Sequence, residues 1–301
     1  MSWFEGFAER RIAVDGVEIY LRTGGPADAP PVLLLHGYPQ SHAIWHRVAR
    51  RLAGRFALVI PDLRGYGRSA KPDGGPEHAA YSKRVMAADM VGVMAALGHS
   101  RFFVAGHDRG GRVGHRLALD HAARVIRLCV LDISPTLTMY EATTMAFAQA
   151  YYHWFHLIQP APLPERHIGA DPIAHLHLKL GGWGSSGLVV FEPEALADYE
   201  RAFADPATVH ATCEDYRAAA GIDLDHDRAS RAAGHKLTTP LHVLWGARGV
   251  VHRLFRPIDD WRAVSDAEVT GRLLPGGHYL PEEHADEVAD ELSAWFGTGP
   301  G

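Results

Sequence analysis

Phe102-Phe103-Val104-Ala105-Gly106-His107-Asp108-Arg109-Gly110-Gly111-Arg112 is the stretch whose reading decides the fold. An apolar run too short for a helix enters the pentapeptide Gly106-His107-Asp108-Arg109-Gly110, and an amphipathic segment follows over Arg109–His121. A strand that turns sharply into a helix between small residues is the setting of a nucleophile elbow, here with Asp108 at the nucleophile position. The plainer alternative is a βα turn whose Asp caps the helix. Outward from this point, Val32–Leu35, Ala57–Ile60 and Val125–Leu131 are equally short and nearly continuous in hydrophobicity, as strands covered on both faces are. Amphipathic segments at Ser41–Ala53 and Ser82–Leu97 lie between them, so the order predicts an α/β fold with a doubly wound, mostly parallel sheet. The Asp15-Gly16 pair inside Ile12–Tyr20 predicts an opening antiparallel hairpin.

The alternation then stops. From Ser134 to Lys236 only Leu188–Phe191 looks like a strand, and helical patterns alternate with breaks such as Gln159–Pro164 and Gly181–Gly187. Strand and helix resume at Leu241–Trp245, Pro257–Val264, Val269–Leu274 and Pro281–Phe296. The expected organisation is a core of residues 1–133 and 237–301 with a helical cap inserted at 134–236. The composition is that of a folded globular chain: 301 residues, 47% hydrophobic, 22% charged, net charge −5. No basic run tracks phosphates, so nucleic acid is not an expected partner. Cys129 and Cys213 make no disulfide framework, and the start MSWFEGFAERR lacks a signal pattern. No apolar window reaches the ~20 residues of a membrane span, and the expected location is the cytoplasm.

Three more strand ends carry chemistry. His36-Gly37-Tyr38-Pro39 follows the first central strand, Leu131-Asp132-Ile133 ends the strand before the insertion, and Gly276-Gly277-His278-Tyr279 follows the last strand. With the elbow, these resemble the α/β-hydrolase superfamily, specifically its Asp-nucleophile branch of haloalkane dehalogenases, epoxide hydrolases and haloacetate dehalogenases. The resemblance implies Asp108 as nucleophile, His278 as general base, and the backbone amides of Tyr38 and Arg109 as an oxyanion hole. Many relatives carry the acid after a Trp-Gly at the penultimate strand, but Trp245–Val251 holds no carboxylate. Asp132 is therefore the expected acid that orients His278. An aspartate is poorly suited to acyl exchange, yet it can displace a leaving group from saturated carbon and form an alkyl-enzyme ester.

Haloalkane dehalogenases usually have Trp after the nucleophile. Arg109 stands there instead, with Arg112 on the same helix, and two guanidiniums beside the nucleophile point to a carboxylate-bearing substrate. The alternative is that one or both make structural ion pairs. Tyr152-His153-Trp154-Phe155, Pro160–Pro164 and Cys213-Glu214-Asp215-Tyr216-Arg217 resemble cap motifs of the fluoroacetate dehalogenase family. That resemblance implies hydrogen bonds from His153, Trp154 and Tyr216 to a departing halide, where negative charge develops. It extends over the whole chain, including Tyr81–Arg84 and Pro281–Glu283, and implies a homodimer acting on a small halocarboxylate without any cofactor. It departs at Tyr38, where Phe or Trp is frequent, and in the basic loop Gly246–Phe255.

The expected reaction is hydrolytic dehalogenation of haloacetates, fluoroacetate in particular. An epoxide hydrolase would use cap tyrosines such as Tyr152 and Tyr216, and a dehalogenase limited to chloro- and bromoacetate would keep the same nucleophile. A non-enzymatic receptor would not need nucleophile, base and acid together. His175 and His177 point apart on a helix, and Asp223–Asp227 lacks the Gly and Glu of a calcium loop, so no metal is expected.

Overall fold

A computed structural model describes residues 3–297; the ends of the expected core, 1–2 and 298–301, lie outside the described residues. β1 (Ala8–Val14) and β2 (Val17–Gly24) form the opening hairpin. Its turn residues Asp15 and Gly16 both take positive φ, 46° and 81°, as a tight two-residue turn between right-twisted strands requires. β3 (Pro31–Leu35), α1 (His46–Leu52), β4 (Ala57–Pro61), α2 (Lys83–Ala96), β5 (Phe102–His107), α3 (Arg109–Asp120) and β6 (Val125–Leu131) follow in the expected alternation.

Between β6 and the next strand the chain is helical: α4 (Thr136–Glu141), α5 (Met145–Ala150), α6 (Tyr152–Leu157), α7 (Leu163–Gly169), α8 (Pro172–Leu180), α9 (Pro193–Phe203), α10 (Pro206–Ala220) and α11 (Ile222–Ala232). Leu188–Phe191, strand-like in sequence, is instead a short 3-10 turn over Leu188–Val190, and Val189 is exposed. A run of four β-formers between breaks finds no neighbouring strand edge there. The core resumes with β7 (Leu241–Gly246), α12 (Val250–Leu254), α13 (Pro257–Ala263), β8 (Val269–Leu274), α14 (Leu280–Glu283) and α15 (Ala285–Gly297).

The eight-stranded sheet has the order β1-β2-β4-β3-β5-β6-β7-β8. β1 and β2 are antiparallel to their neighbours, and the remaining pairs are parallel. Alternate residues of the central strands face opposite cores. Leu33, Leu35 and Val104 pack with Met90 of α2 and Leu117 of α3, whereas Val32, Leu34 and Phe103 pack with Val48 of α1 and Leu292 of α15. Both faces being covered explains the unbroken apolar runs, and each buried Leu contributes about 1.5–3 kcal/mol. The first core continues without a gap through Tyr38 and Tyr279 into Trp154, Tyr199 and Tyr216 of the insertion. The helices 134–236 are thus seated on the carboxyl ends of the strands, over the loops that follow β3, β5, β6 and β8.

Candidate active site

Asp108 follows the last residue of β5 and caps α3 with φ 45° and ψ −115°, a conformation unusual for a residue with a side chain. Close backbone approach forces glycine on both sides. A Cβ at Gly110 would lie 2.4 Å from the His36 carbonyl oxygen, and one at Gly37 would lie 2.5 Å from Asp108 Cβ. The gap so preserved lets the Tyr38 amide donate to Asp108 Oδ2 at 3.1 Å, and Arg109 N borders the same corner, 2.9 Å from where a Gly37 Cβ would sit. One oxygen of Asp108 is therefore held by backbone.

Asp132 follows β6, also at positive φ (53°), and its two oxygens are both engaged: Oδ1 accepts from the Gly246 amide at 3.1 Å, and Oδ2 lies 2.7 Å from His278 Nδ1. The last residue of β7, Gly246, thus turns its amide onto the acid supplied by β6. Burial disfavours the charged form of His278, but the hydrogen bond and charge of Asp132, with Asp108 adding to them, outweigh it and raise its pKa above 6.5. For Asp108 the balance runs the other way. Burial would raise its carboxyl, while His278, Arg112 and Arg109 together hold it below 3.8, so it is ionised at neutral pH. Asp108, Asp132 and His278 are brought together at the ends of three different strands, all buried.

The two arginines differ. Arg109 binds Asp215 of α10 through Nε (2.9 Å) and Nη2 (2.7 Å), and Asp215 also accepts from Tyr66 and pairs with Lys83. Among the described residues only its Nη1 lacks a partner. Arg112 donates through Nη1 to the Ser134 carbonyl and Thr136 Oγ1 and through Nη2 to Met139 Sδ, while its Nε is unpartnered. No carboxylate among the described residues lies within ion-pair distance of Arg112, although its side chain is buried. Each guanidinium also stacks on an aromatic ring, Arg109 on Tyr216 (4.2 Å) and Arg112 on Trp154 (4.8 Å). The Tyr216 hydroxyl and His153 Nδ1 are buried without partners, 5.6 Å apart as ring centroids, and Tyr38 stacks on His153. Burial keeps Tyr216 protonated and His153 neutral, so each retains a hydrogen to donate.

A family model of the alpha/beta hydrolase fold matches residues 30–284. The chain belongs to the α/β-hydrolase family. This hydrolase is 46% identical to a fluoroacetate dehalogenase of Burkholderia sp, over 95% of this chain and 92% of that protein. It is 32% identical to a soluble epoxide hydrolase of Corynebacterium sp., over 94% and 95% of the two chains. A crystal structure of an alpha/beta hydrolase fold protein from Nostoc sp PCC 7120 superposes with a TM-score of 0.95 at 48% identity, covering 98% of this chain and 99% of that one.

Several groups around the hydrolase's site are not evident from motif reading. His107, inside the elbow itself, is kept neutral by burial, with a pKa near 3, so its Nε2 donates to the His278 carbonyl at 2.7 Å. Glu283 accepts the amides of Gly277 (2.9 Å) and Tyr279 (3.1 Å), bracketing His278, and binds Arg248 of the basic loop at 2.8 Å. Arg248 reaches on to the Gly184 carbonyl, which ties that loop to the insertion. Trp183, within the glycine-rich break at 181–187, lies over His278 with ring centroids 5.2 Å apart and accepts the His278 amide on its carbonyl. His175 hydrogen-bonds Tyr38 Oη at 2.8 Å. Among the described residues no group of three or more His, Cys, Asp or Glu could hold a metal ion, and no helix is long and apolar enough to cross a membrane.

Proposed function

We propose that this hydrolase cleaves the carbon–halogen bond of haloacetates, with fluoroacetate within its range. The observation that carries the reading is Arg112, a buried cation with no ion-pair partner among the described residues, whose facing charge is the ionised nucleophile Asp108. A substrate carboxylate on Arg112 Nε and Arg109 Nη1 would gain about 1.5–3 kcal/mol per charge-assisted hydrogen bond and bring its α-carbon to Asp108. The relative named fluoroacetate dehalogenase, nearly half identical over most of its length, supports the same substrate class.

In the first step an Asp108 carboxylate oxygen forms a bond to the α-carbon, and the carbon–halogen electron pair leaves with the halide. Tyr216 Oη, the Trp154 indole N–H and His153 would donate to that halide, and since Tyr216 Oη and His153 Nδ1 have no partner among the described residues, neither has a competing bond to break. Next, His278 Nε2 removes a proton from water as the oxygen attacks Asp108 Cγ. The negative charge develops on the oxygen facing the Tyr38 amide, with Arg109 N beside it, where each donor is worth about 3 kcal/mol. Collapse expels glycolate carrying the oxygen that Asp108 supplied, protonated by His278. The second water proton is released, so haloacetate and water give glycolate, halide and a proton.

The epoxide hydrolase relative and the free Tyr216 hydroxyl favour a second reading, in which Tyr216 protonates an opening epoxide. A neutral epoxide leaves Arg112 without its anion, which ranks that reading below the first. The test is halide release from fluoroacetate and chloroacetate, with Asp108→Asn as blank and a single turnover in oxygen-18 water. Halide from both substrates, with label in Asp108 and not in glycolate, is the expected result. Label in glycolate would sink the ester mechanism, and epoxide opening without halide release would reverse the ranking.

A further inference from the structure

The reacting groups are sealed: Asp108 is 6% exposed, His278 2% and Arg109 0%. Any substrate must pass the helices above them. Over His278 the covering group is Trp183, held at φ 55° between glycines and partly exposed. Beside it ends α8, and its last turn carries Lys179. Lys179 Nζ lies 3.6 Å from the centre of the Tyr152 ring and 5.7 Å from that of Trp183, and Tyr152 itself is 43% exposed. The amine therefore sits between a solvent-facing ring and the ring that covers the general base.

Lys179 is only 3% exposed, yet among the described residues no carboxylate stands within ion-pair distance of its Nζ, which faces the Tyr152 and Trp183 rings instead. The other buried lysine, Lys83, is paired with Asp215 and Asp223. Stacking on the two rings and the helix C-terminus both favour the ammonium, but they do not offset its loss of water. The imbalance is visible in the group itself, since burial pulls its pKa down to about 7. The groups facing it do not restore the balance: His153, His156 and His175 are all pushed toward their neutral forms by burial, with the charge of Lys179 adding to the effect. An anion beside the caged amine would supply the counter-charge that no carboxylate of the described residues provides.

We propose that Lys179, caged by Tyr152 and Trp183, forms an outer anion site that takes a small carboxylate before it reaches Arg109 and Arg112. The substrate class rests on the haloacetate reading, whereas the anion site itself does not. A carboxylate docked there favours the protonated amine and stands one aromatic ring away from His278. The site thus selects anions at the roof, and the arginines orient them at the nucleophile.

Two measurements test this. In the first, chloroacetate turnover is compared among the wild type, Lys179→Gln and Lys179→Arg. The Gln variant should lose about tenfold in kcat/KM through KM, with kcat within about twofold, and Arg should restore most of it. A fall in kcat with unchanged KM, or no rescue by Arg, would mean that Lys179 only packs the roof, and unchanged kinetics would also overturn the proposal. The second needs no turnover: acetate is titrated against tryptophan fluorescence in Arg112→Leu, where the inner clamp keeps only Arg109, and in Arg112→Leu/Lys179→Gln. A response in the first that weakens at least fivefold in the second supports the outer site, and no response in a folded Arg112→Leu, or equal responses, rejects it. Failure of the wild type to release halide would strike the haloacetate reading while the acetate titration still judged Lys179.

Discussion

The floor of the site and its roof obey opposite rules of hydrogen bonding. On the floor, both oxygens of Asp132 are occupied, His278 is oriented through Nδ1, and the Tyr38 amide already points at Asp108. Facing the roof and within it, Arg112 Nε and Arg109 Nη1 of α3 and Tyr216 Oη and His153 Nδ1 of the cap helices are buried without partners among the described residues, and no carboxylate is within ion-pair distance of Lys179. Buried donors normally find partners, and each one left unmade costs about 1–3 kcal/mol. The floor is organised by the protein's own groups. The roof carries a deficit that a bound anion would remove, and binding free energy is thereby directed to the carboxylate and the leaving halide.

The sharpest way to break the contrast is at the floor. His278→Asn should leave alkylation of Asp108 intact but slow hydrolysis of the ester by about three orders of magnitude, with the trapped carboxymethyl adduct visible by mass spectrometry. In the wild type, base catalysis requires neutral His278. Its folded pKa is raised, so single-turnover hydrolysis should rise with pH through a midpoint above 6.5, while alkylation, which needs only ionised Asp108, stays flat from pH 5 upward. A midpoint below 6.5 would detach His278 from Asp132.

The paired arginines separate structure from binding. Arg109→Leu takes two charge-assisted hydrogen bonds from buried Asp215, leaving it Lys83 and Tyr66, and should destabilise the fold by about 3–5 kcal/mol in denaturant unfolding. Arg112→Leu removes a charge with no ion-pair partner and the hydrogen bonds to Ser134, Thr136 and Met139, so it should cost no more than about 1–2 kcal/mol of stability while raising KM for haloacetates about 10- to 100-fold. Equal destabilisation by both would dissolve the distinction.

The smallest effect sharpens the roof. Tyr216→Phe deletes an unpartnered hydroxyl, so thermal stability should hold or rise, against the usual loss of about 1 kcal/mol for a buried hydrogen bond. Fluoride release should fall about 10- to 30-fold and bromide release by less, because fluoride depends most on donors to its developing charge. Equal losses for both halides would remove Tyr216 from the leaving-group side.

The elbow, the hairpin at Asp15-Gly16 and the parallel strands were legible because each depends on residues close in sequence: a two-residue turn, a small-residue pentapeptide, an unbroken apolar run. Leu188–Phe191 shows the limit, since a strand needs an edge to pair with and local composition does not reveal one. His107 stood inside a quoted motif, yet its contact with the His278 carbonyl spans 171 positions. Asp215 adjoins Tyr216 in the same way, and nothing local shows that it binds Arg109, 106 positions away.

By itself the sequence determined the order of strands and helices, the strand ends that carry Asp108, Asp132 and His278, and the supply of aromatic and basic side chains above them. Residue type and periodicity are local properties, and they suffice for that. Only the tertiary structure decided which charges are answered. Arg109 is neutralised by Asp215 while Arg112 and Lys179 are not, because ion pairing and desolvation depend on which distant segments are packed against one another.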